Sequence, residues 1–292
     1  MKTLLSFGHG YSARAVTPLL LAQGWTVIGT TRSDEKAEAL RAEGVEPVIF
    51  GAPLDTALAR ASHVLISAGP DVTGDPVLNA YLPILETHLG SKAWVGYLST
   101  TGVYGDHDGG WVDEDTPLTP TTRRGRLRVE AEAAWQDLAA RTGAPLHIFR
   151  LAGIYGPGRG PFEKVRNGSA RRIVKPGQVF SRIHVDDIAQ VLMASIARPD
   201  PGAIYNLCDD DPAPPQDVIG HAAELLGLPL PPEVDFEAAE MSPMARSFYA
   251  ESKRVRNDRI KADLGVTLRF PDYRSGLANL LQRDRDSGIV QT

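Results

Sequence analysis

Between residues 3 and 150 the chain alternates short apolar runs with longer segments whose apolar positions recur at helical spacing. The runs at 3–7, 25–30, 46–50, 63–67, 94–99 and 145–150 are largely apolar and rich in Val, Ile and Leu. Parallel strands covered on both faces read this way. Residues 13–23, 34–42, 78–89 and 126–141 read as helices, and Gly24 and Gly44 supply stops for the first two. Pro18 removes one backbone donor, which predicts a kink or an early helix start. Such alternation over 150 residues predicts an α/β fold, a doubly wound parallel sheet of Rossmann type. Beyond Leu151 the pattern loosens. Residues 156–178 are rich in Gly, Pro and basic side chains. Helices are expected at 186–198 and 217–226, a strand at 203–207, and a frayed polar tail over 284–292.

The first apolar run ends in Gly8-His9-Gly10-Tyr11-Ser12-Ala13. This fits G-x-G-x-x-A between a strand and a helix. The first Gly permits the tight turn, the second lets backbone amides approach a pyrophosphate, and the small third residue lets helix and strand pack closely. Gly8, Gly10, Tyr11, Ser12 and Ala13 are therefore candidates for dinucleotide binding, with Ala68 after the fourth run. NAD-binding versions of this unit end the second strand on an acid, and here Thr30-Thr31-Arg32-Ser33 stands instead. Arg32 and Ser33 suit a 2′-phosphate, so NADP is expected, with NAD as the alternative. Residues 1–152, joined by about 183–208, are expected to form the dinucleotide-binding domain. Residues 153–182 and 209–283 would form a small C-terminal substrate lobe.

Bulk properties narrow the partners. Hydrophobic residues make up 42% and charged residues 23%, ordinary for a globular protein. A net charge of −5 weighs against general binding to nucleic acid or anionic membrane. No apolar run reaches the roughly 18 residues of a spanning helix. The N-terminus does not read as a signal peptide. Cys208 is the only cysteine, so neither an intramolecular disulfide nor a cysteine-built zinc site is expected. These features lead to an expected cytoplasmic location, with no metal and no nucleic-acid or membrane partner.

Several further segments resemble the extended short-chain dehydrogenase/reductase family, in its epimerase/dehydratase-like branch. They are Leu98–Gly105 (LSTTGVYG), Asp113-Glu114, Pro117, Arg150, Ile154–Gly158 (IYGPG), Ile183–Ala189 (IHVDDIA), Tyr205-Asn206-Leu207 and Leu264-Gly265. The resemblance implies a cofactor over the carboxyl ends of the strands. It also implies a Ser/Thr, a Tyr and a Lys carrying the chemistry, and dimers formed through helices near 78–89 and 126–141. The second of these carries Leu127, Ala131, Ala134, Trp135 and Leu138 as a possible packing stripe.

Here the chain departs from the pattern. Thr100 matches the Ser/Thr, but Arg124 and Arg128 stand where Tyr-x-x-x-Lys is expected, and no tyrosine lies between Tyr104 and Tyr155. Arginine cannot act as an acid near neutrality. Arg128 could still hold ribose hydroxyls and supply positive charge. Tyr104, Tyr155 and His107 are candidate replacements, with Tyr104 first, and His184 reads as a structural residue at a helix entry. Residues 159–182 hold seven basic side chains and one acid, Glu163. With Tyr155 and Arg182 as candidate contacts, they point to a small anionic substrate. Two functions stay open: an NADP-dependent oxidoreductase or epimerase/dehydratase-like enzyme, or a dinucleotide-binding sensor or scaffold without turnover.

Overall fold

The computed structural model describes residues 2–288. Its elements, in chain order, begin β1 (Thr3–Phe7), α1 (Tyr11–Leu21), β2 (Thr26–Thr31), α2 (Asp34–Ala42), β3 (Glu46–Ile49), α3 (Asp55–Arg60), β4 (His63–Ile66), α4 (Pro76–His88) and β5 (Trp94–Thr100). A 3-10 turn (Thr101–Tyr104) leads to β6 (Trp111–Val112), α5 (Arg123–Thr142), β7 (Leu146–Leu151), β8 (Gly153–Tyr155), α6 (Phe162–Arg166) and β9 (Arg172–Val174). Then follow β10 (Arg182–His184), α7 (Val185–Ala197), β11 (Ile204–Leu207), α8 (Pro215–Leu226), β12 (Glu233–Asp235), α9 (Pro243–Phe248), β13 (Arg254–Val255), α10 (Asp258–Leu264) and α11 (Tyr273–Asp286).

Seven strands form one sheet in the order β11-β7-β5-β4-β1-β2-β3. Every pairing in it is parallel. This is the doubly wound order. Its crossover direction reverses between β1 and β4, where such sheets open a crevice at the carboxyl ends of their strands. The continuous apolar runs are explained by two covered faces. Leu4, Val27, Leu65 and Phe149 point to the side packed by α1 and α7. Leu5, Ile28, Val64 and Ile148 point to the side packed by α3, α4 and α5.

A third cluster joins Phe162 and Val165 of α6, Val218 and Ala222 of α8, and Leu277, Leu280 and Leu281 of α11. With the parallel pair β9–β12 it forms the small C-terminal lobe. Two further short pairs, β8–β10 and β6–β13, link distant stretches beside the crevice.

Several expectations shift. Helix α1 starts early, at Tyr11, and carries Pro18 inside it. The tail expected to fray from 284 is helical through Asp286, and residues 289–292 lie outside the described residues. Most of the stripe on α5 is used within the protomer: Ala131, Trp135 and Leu138 are buried in the core, Leu127 is half-buried and Ala134 exposed, and Trp135 Nε1 donates to Asp75 Oδ2 at 3.1 Å. It therefore carries no argument for a dimer. Among the described residues no helix is long and apolar enough to cross a membrane.

Candidate functional site

The turn after β1 is built by backbone and hydroxyl bonds. Gly8 N–H donates to Thr30 Oγ1 at 2.8 Å and Gly10 N–H to Gly8 O at 2.7 Å. Ser67 Oγ donates to Gly8 O at 2.8 Å, which ties β4 to the turn. Gly8 has φ +72°, and a Cβ there would stand 2.9 Å from Ala68 N. Both the conformation and the close approach require glycine. Gly10 is different. Its φ is −108°, and a Cβ there would meet only Gly8 O, at 3.7 Å. The space in front of it is open, as a close-lying pyrophosphate requires. Ala13 is fully buried behind the turn. His9 places Nε2 3.1 Å from Thr17 Oγ1, and burial lowers its pKa to about 4, so it is neutral and adds no charge to the turn.

A cleft of about 1030 Å³ opens in front of this turn. That is at the upper end of the roughly 300–1,000 Å³ usual for ligand sites. Its lining joins Gly8, Gly10, Tyr11 and Ser12 of the turn to Thr100 and Arg128 at the floor and to Tyr155 and Arg182. These candidates, scattered over 170 residues of sequence, share one cavity, whereas Ala13 and Ala68 lie outside its lining. Arg32 and Ser33 stand outside its lining, past the end of β2. Arg32 is exposed, and Ser33 caps α2 by accepting from Lys36 N–H.

The cleft floor is fixed by a buried network. Arg150 Nη2 meets Glu132 Oε2 at 2.8 Å, with both side chains almost fully buried. Ser99 Oγ also donates to Glu132, and Arg150 Nη1 donates to Tyr104 Oη at 2.9 Å. Glu132 follows Arg128 by one helical turn, so α5 carries both on one side. Arg128 Nη1 donates to Tyr97 Oη at 2.9 Å and to Leu98 O at 2.8 Å, bracing α5 against β5. Its Nη2 would lie 2.9 Å from any Cβ on Gly69. Arg124, one turn earlier, lies over the Phe248 ring at 4.5 Å.

Tyr104 is a correction. It is fully buried and absent from the cleft lining. Its hydroxyl donates to Asn206 Oδ1 at 2.7 Å, and burial pushes its pKa up to about 12, against the pull of Arg150. It belongs to the structural network, not to the proton-exchanging groups of the cleft. His107 likewise bonds back to Tyr104 O at 3.1 Å and does not line the cleft. Tyr155 does line it, but its phenol is wedged against Gly276, bonds Asp272 O at 3.4 Å, and is pushed upward in pKa by burial. His184 is buried at the start of α7, where Nδ1 accepts from Asp186 N–H at 3.1 Å.

The segment 242–253 was not singled out from the sequence. Met244, Phe248 and Tyr249 line the cleft mouth, and Glu251 and Lys253 line its wall. Nothing in local periodicity marks them. The fold brings them to the cleft through the pairing of β13 with β6. Among the described residues no cluster of His, Cys, Asp and Glu is arranged to hold a metal.

The profile of the NAD dependent epimerase/dehydratase family matches residues 7–208. The chain belongs to that family. Its sheet order and glycine turn are those of the family's dinucleotide-binding fold. A functionally unknown conserved protein from Silicibacter pomeroyi is 62% identical, with a TM-score of 0.92 over 97% of this chain and 99% of that one. YeeZ of Escherichia coli is 28% identical over 286 residues, 93% of this chain and 97% of that protein. The UDP-glucuronic acid 4-epimerase of Bacillus cereus, solved with NAD, has a TM-score of 0.74 over 96% of this chain and 99% of that one. At 15% identity that last likeness concerns the fold alone.

Proposed function

We propose that the protein is an NADP-dependent oxidoreductase acting on a small anionic carbonyl or hydroxyl compound. The observation that carries the reading is the charge of the cleft. Arg124, Arg128, Arg159 and Arg182 line it, while its one carboxylate, Glu251, is paired with Lys253 at 2.9 Å. Among the described residues, the side chains of Arg124 and Arg159 meet aromatic rings, Phe248 and Tyr11. Guanidinium groups so placed favour carboxylate or phosphate.

The open face of Gly10 and the turn at Gly8 fit a pyrophosphate. Arg128 would stand at the ribose, and Arg32 at a 2′-phosphate. The bound dinucleotide supplies hydride chemistry. The chain's own groups would hold the substrate anion, orient its oxygen through Thr100 and exclude water.

A second reading, a dinucleotide-binding protein without turnover, draws on Arg124 in the tyrosine position. Reduction of any anionic carbonyl compound by the purified protein with NADPH decides against it.

Cofactor choice is tested by Arg32→Ala. Losing a charge-assisted contact costs about 1.5–3 kcal/mol. NADP binding should weaken by more than about tenfold while NAD binding stays unchanged. Equal losses for both cofactors would remove the 2′-phosphate role.

A further inference from the structure

The cleft needs a proton donor, and the groups named from the sequence do not provide one. Arg124 cannot release a proton near neutrality, since guanidinium titrates above about 12. Tyr104 is outside the cleft, and Tyr155 is buried against Gly276. Tyr11 donates to Pro157 O at 3.0 Å, at the glycine-turn end.

Lys253 is a further group of the same lining. It lines the cleft with Thr100 and Arg124, and its side chain is only 11% exposed. Its Nζ donates to Gly105 O at 2.6 Å and to Glu251 Oε2 at 2.9 Å. Gly105 closes the turn that begins at Thr100, and Glu251 Oε1 accepts from Thr121 Oγ1 at 2.7 Å, one residue before the cap of α5. The Glu251–Lys253 pair therefore bridges the two elements that carry Thr100 and Arg124.

The backbone around Lys253 is pinned as well. Ser252 N–H donates to Asp106 Oδ1 at 2.7 Å, and Ser252 O accepts from His107 and Gly109. An ammonium has three hydrogens. Two are committed to Gly105 and Glu251, which leaves one for a ligand in the cleft.

We propose that Lys253 is the proton donor of this site, replacing the tyrosine that the resemblance places at Arg124, with Glu251 as its positioning residue. The inference rests on the oxidoreductase reading. In the reductive direction the carbonyl carbon gains hydride from the reduced dinucleotide. The carbonyl π pair moves to oxygen. A Lys253 N–H bond breaks as the new O–H bond forms, which leaves an alcohol and a neutral amine. Water returns a proton to the amine. In the oxidative direction the amine accepts the alcohol proton.

The test compares wild type, Lys253→Met, Lys253→Arg and Tyr249→Phe, the last because Tyr249 also lines the cleft. NADPH binding is followed by nicotinamide fluorescence. Single-turnover NADPH oxidation is followed with a panel of α-keto acids and aromatic aldehydes. Lys253→Met should bind NADPH like wild type and oxidise it roughly 10²–10⁴-fold more slowly. Lys253→Arg keeps the charge but not the transferable proton, so it should be slow too. The wild-type rate should fall in alkaline solution, and the Lys253→Arg rate should not. Tyr249→Phe should not reproduce the loss seen in Lys253→Met.

Wild-type rates in both Lys253 variants, or loss confined to Tyr249→Phe, overturn the proposal while leaving the oxidoreductase reading standing. NADPH binding by wild type without reduction of any probe overturns that reading, and the Lys253 step with it. If circular dichroism shows that Lys253→Met does not fold, the rate and pH profile of Lys253→Arg decide.

Discussion

Asp209 shows how much a single buried group can weigh. Its carboxylate is only 1% exposed. Burial pushes its pKa up to about 8, against the pull of Arg182. In the unfolded chain an Asp titrates near about 3.9. Between those values the folded state holds a proton that the unfolded state has released. Stability therefore falls as pH rises from about 4 to about 8. Asp209→Asn removes this dependence. In thermal melts the variant should gain on the wild type more at pH 8 than at pH 5, and an equal difference at both would contradict the assignment.

His9 and His63 act with the opposite sign. Burial lowers each from 6.5 to about 4, so their contribution is lost as pH falls through that window. None of this is legible in the sequence. The positions of Asp209 and His9 can be read there, but their desolvation exists only once distant elements close over them.

At the scale of elements, α5 decides whether the site is assembled. Its cap, Thr122, accepts from Gly125 N–H at 3.1 Å, and its first turn packs on the turn after β5. A Cβ on Gly125 would lie 2.7 Å from Gly102 O and 2.8 Å from Pro120 Cβ. Helix propensity alone favours Ala over Gly by about 0.8–1 kcal/mol. Overpacking against backbone costs about 1–3 kcal/mol, so the clash should win. Gly125→Ala is expected to lower the urea midpoint, and a midpoint at or above the wild-type value would refute the tight packing described for this turn.

The helix itself was readable from its periodicity, and so were the seven strands of the central sheet, because their two-face burial leaves unbroken apolar runs; the short strands of the outlying pairs were not read. Helices α3, α6, α9, α10 and α11 were not read. The first two have only six and five residues, too few for a period to show. The Glu251–Lys253 segment was missed for a different reason. Its place in the cleft depends on β13 pairing with β6 across more than 140 residues of chain.

Across the whole molecule, chain order and cleft geometry agree. The sheet reverses direction between β1 and β4, and the glycine turn, Ser67 and Gly69 meet at that point. The turn was legible because its chemistry is local: two glycines and a small residue between a strand and a helix. The missing tyrosine was legible too, as Arg124. What replaces it was not, since the first choice, Tyr104, turned out to be bound to Asn206 and Arg150 beneath the floor.

Dinucleotide binding at Gly10 underlies every functional statement made for this chain, and calorimetry of wild type and Gly10→Asp with NADP tests it most directly. The position has an ordinary φ of −108° and free space before it, so the variant should fold and melt like wild type. The new carboxylate would face the pyrophosphate, and like charges at contact repel strongly in a partly enclosed site. Wild type should bind NADP, and a fully folded Gly10→Asp should not. Equal affinity in the two proteins would contradict the assignment.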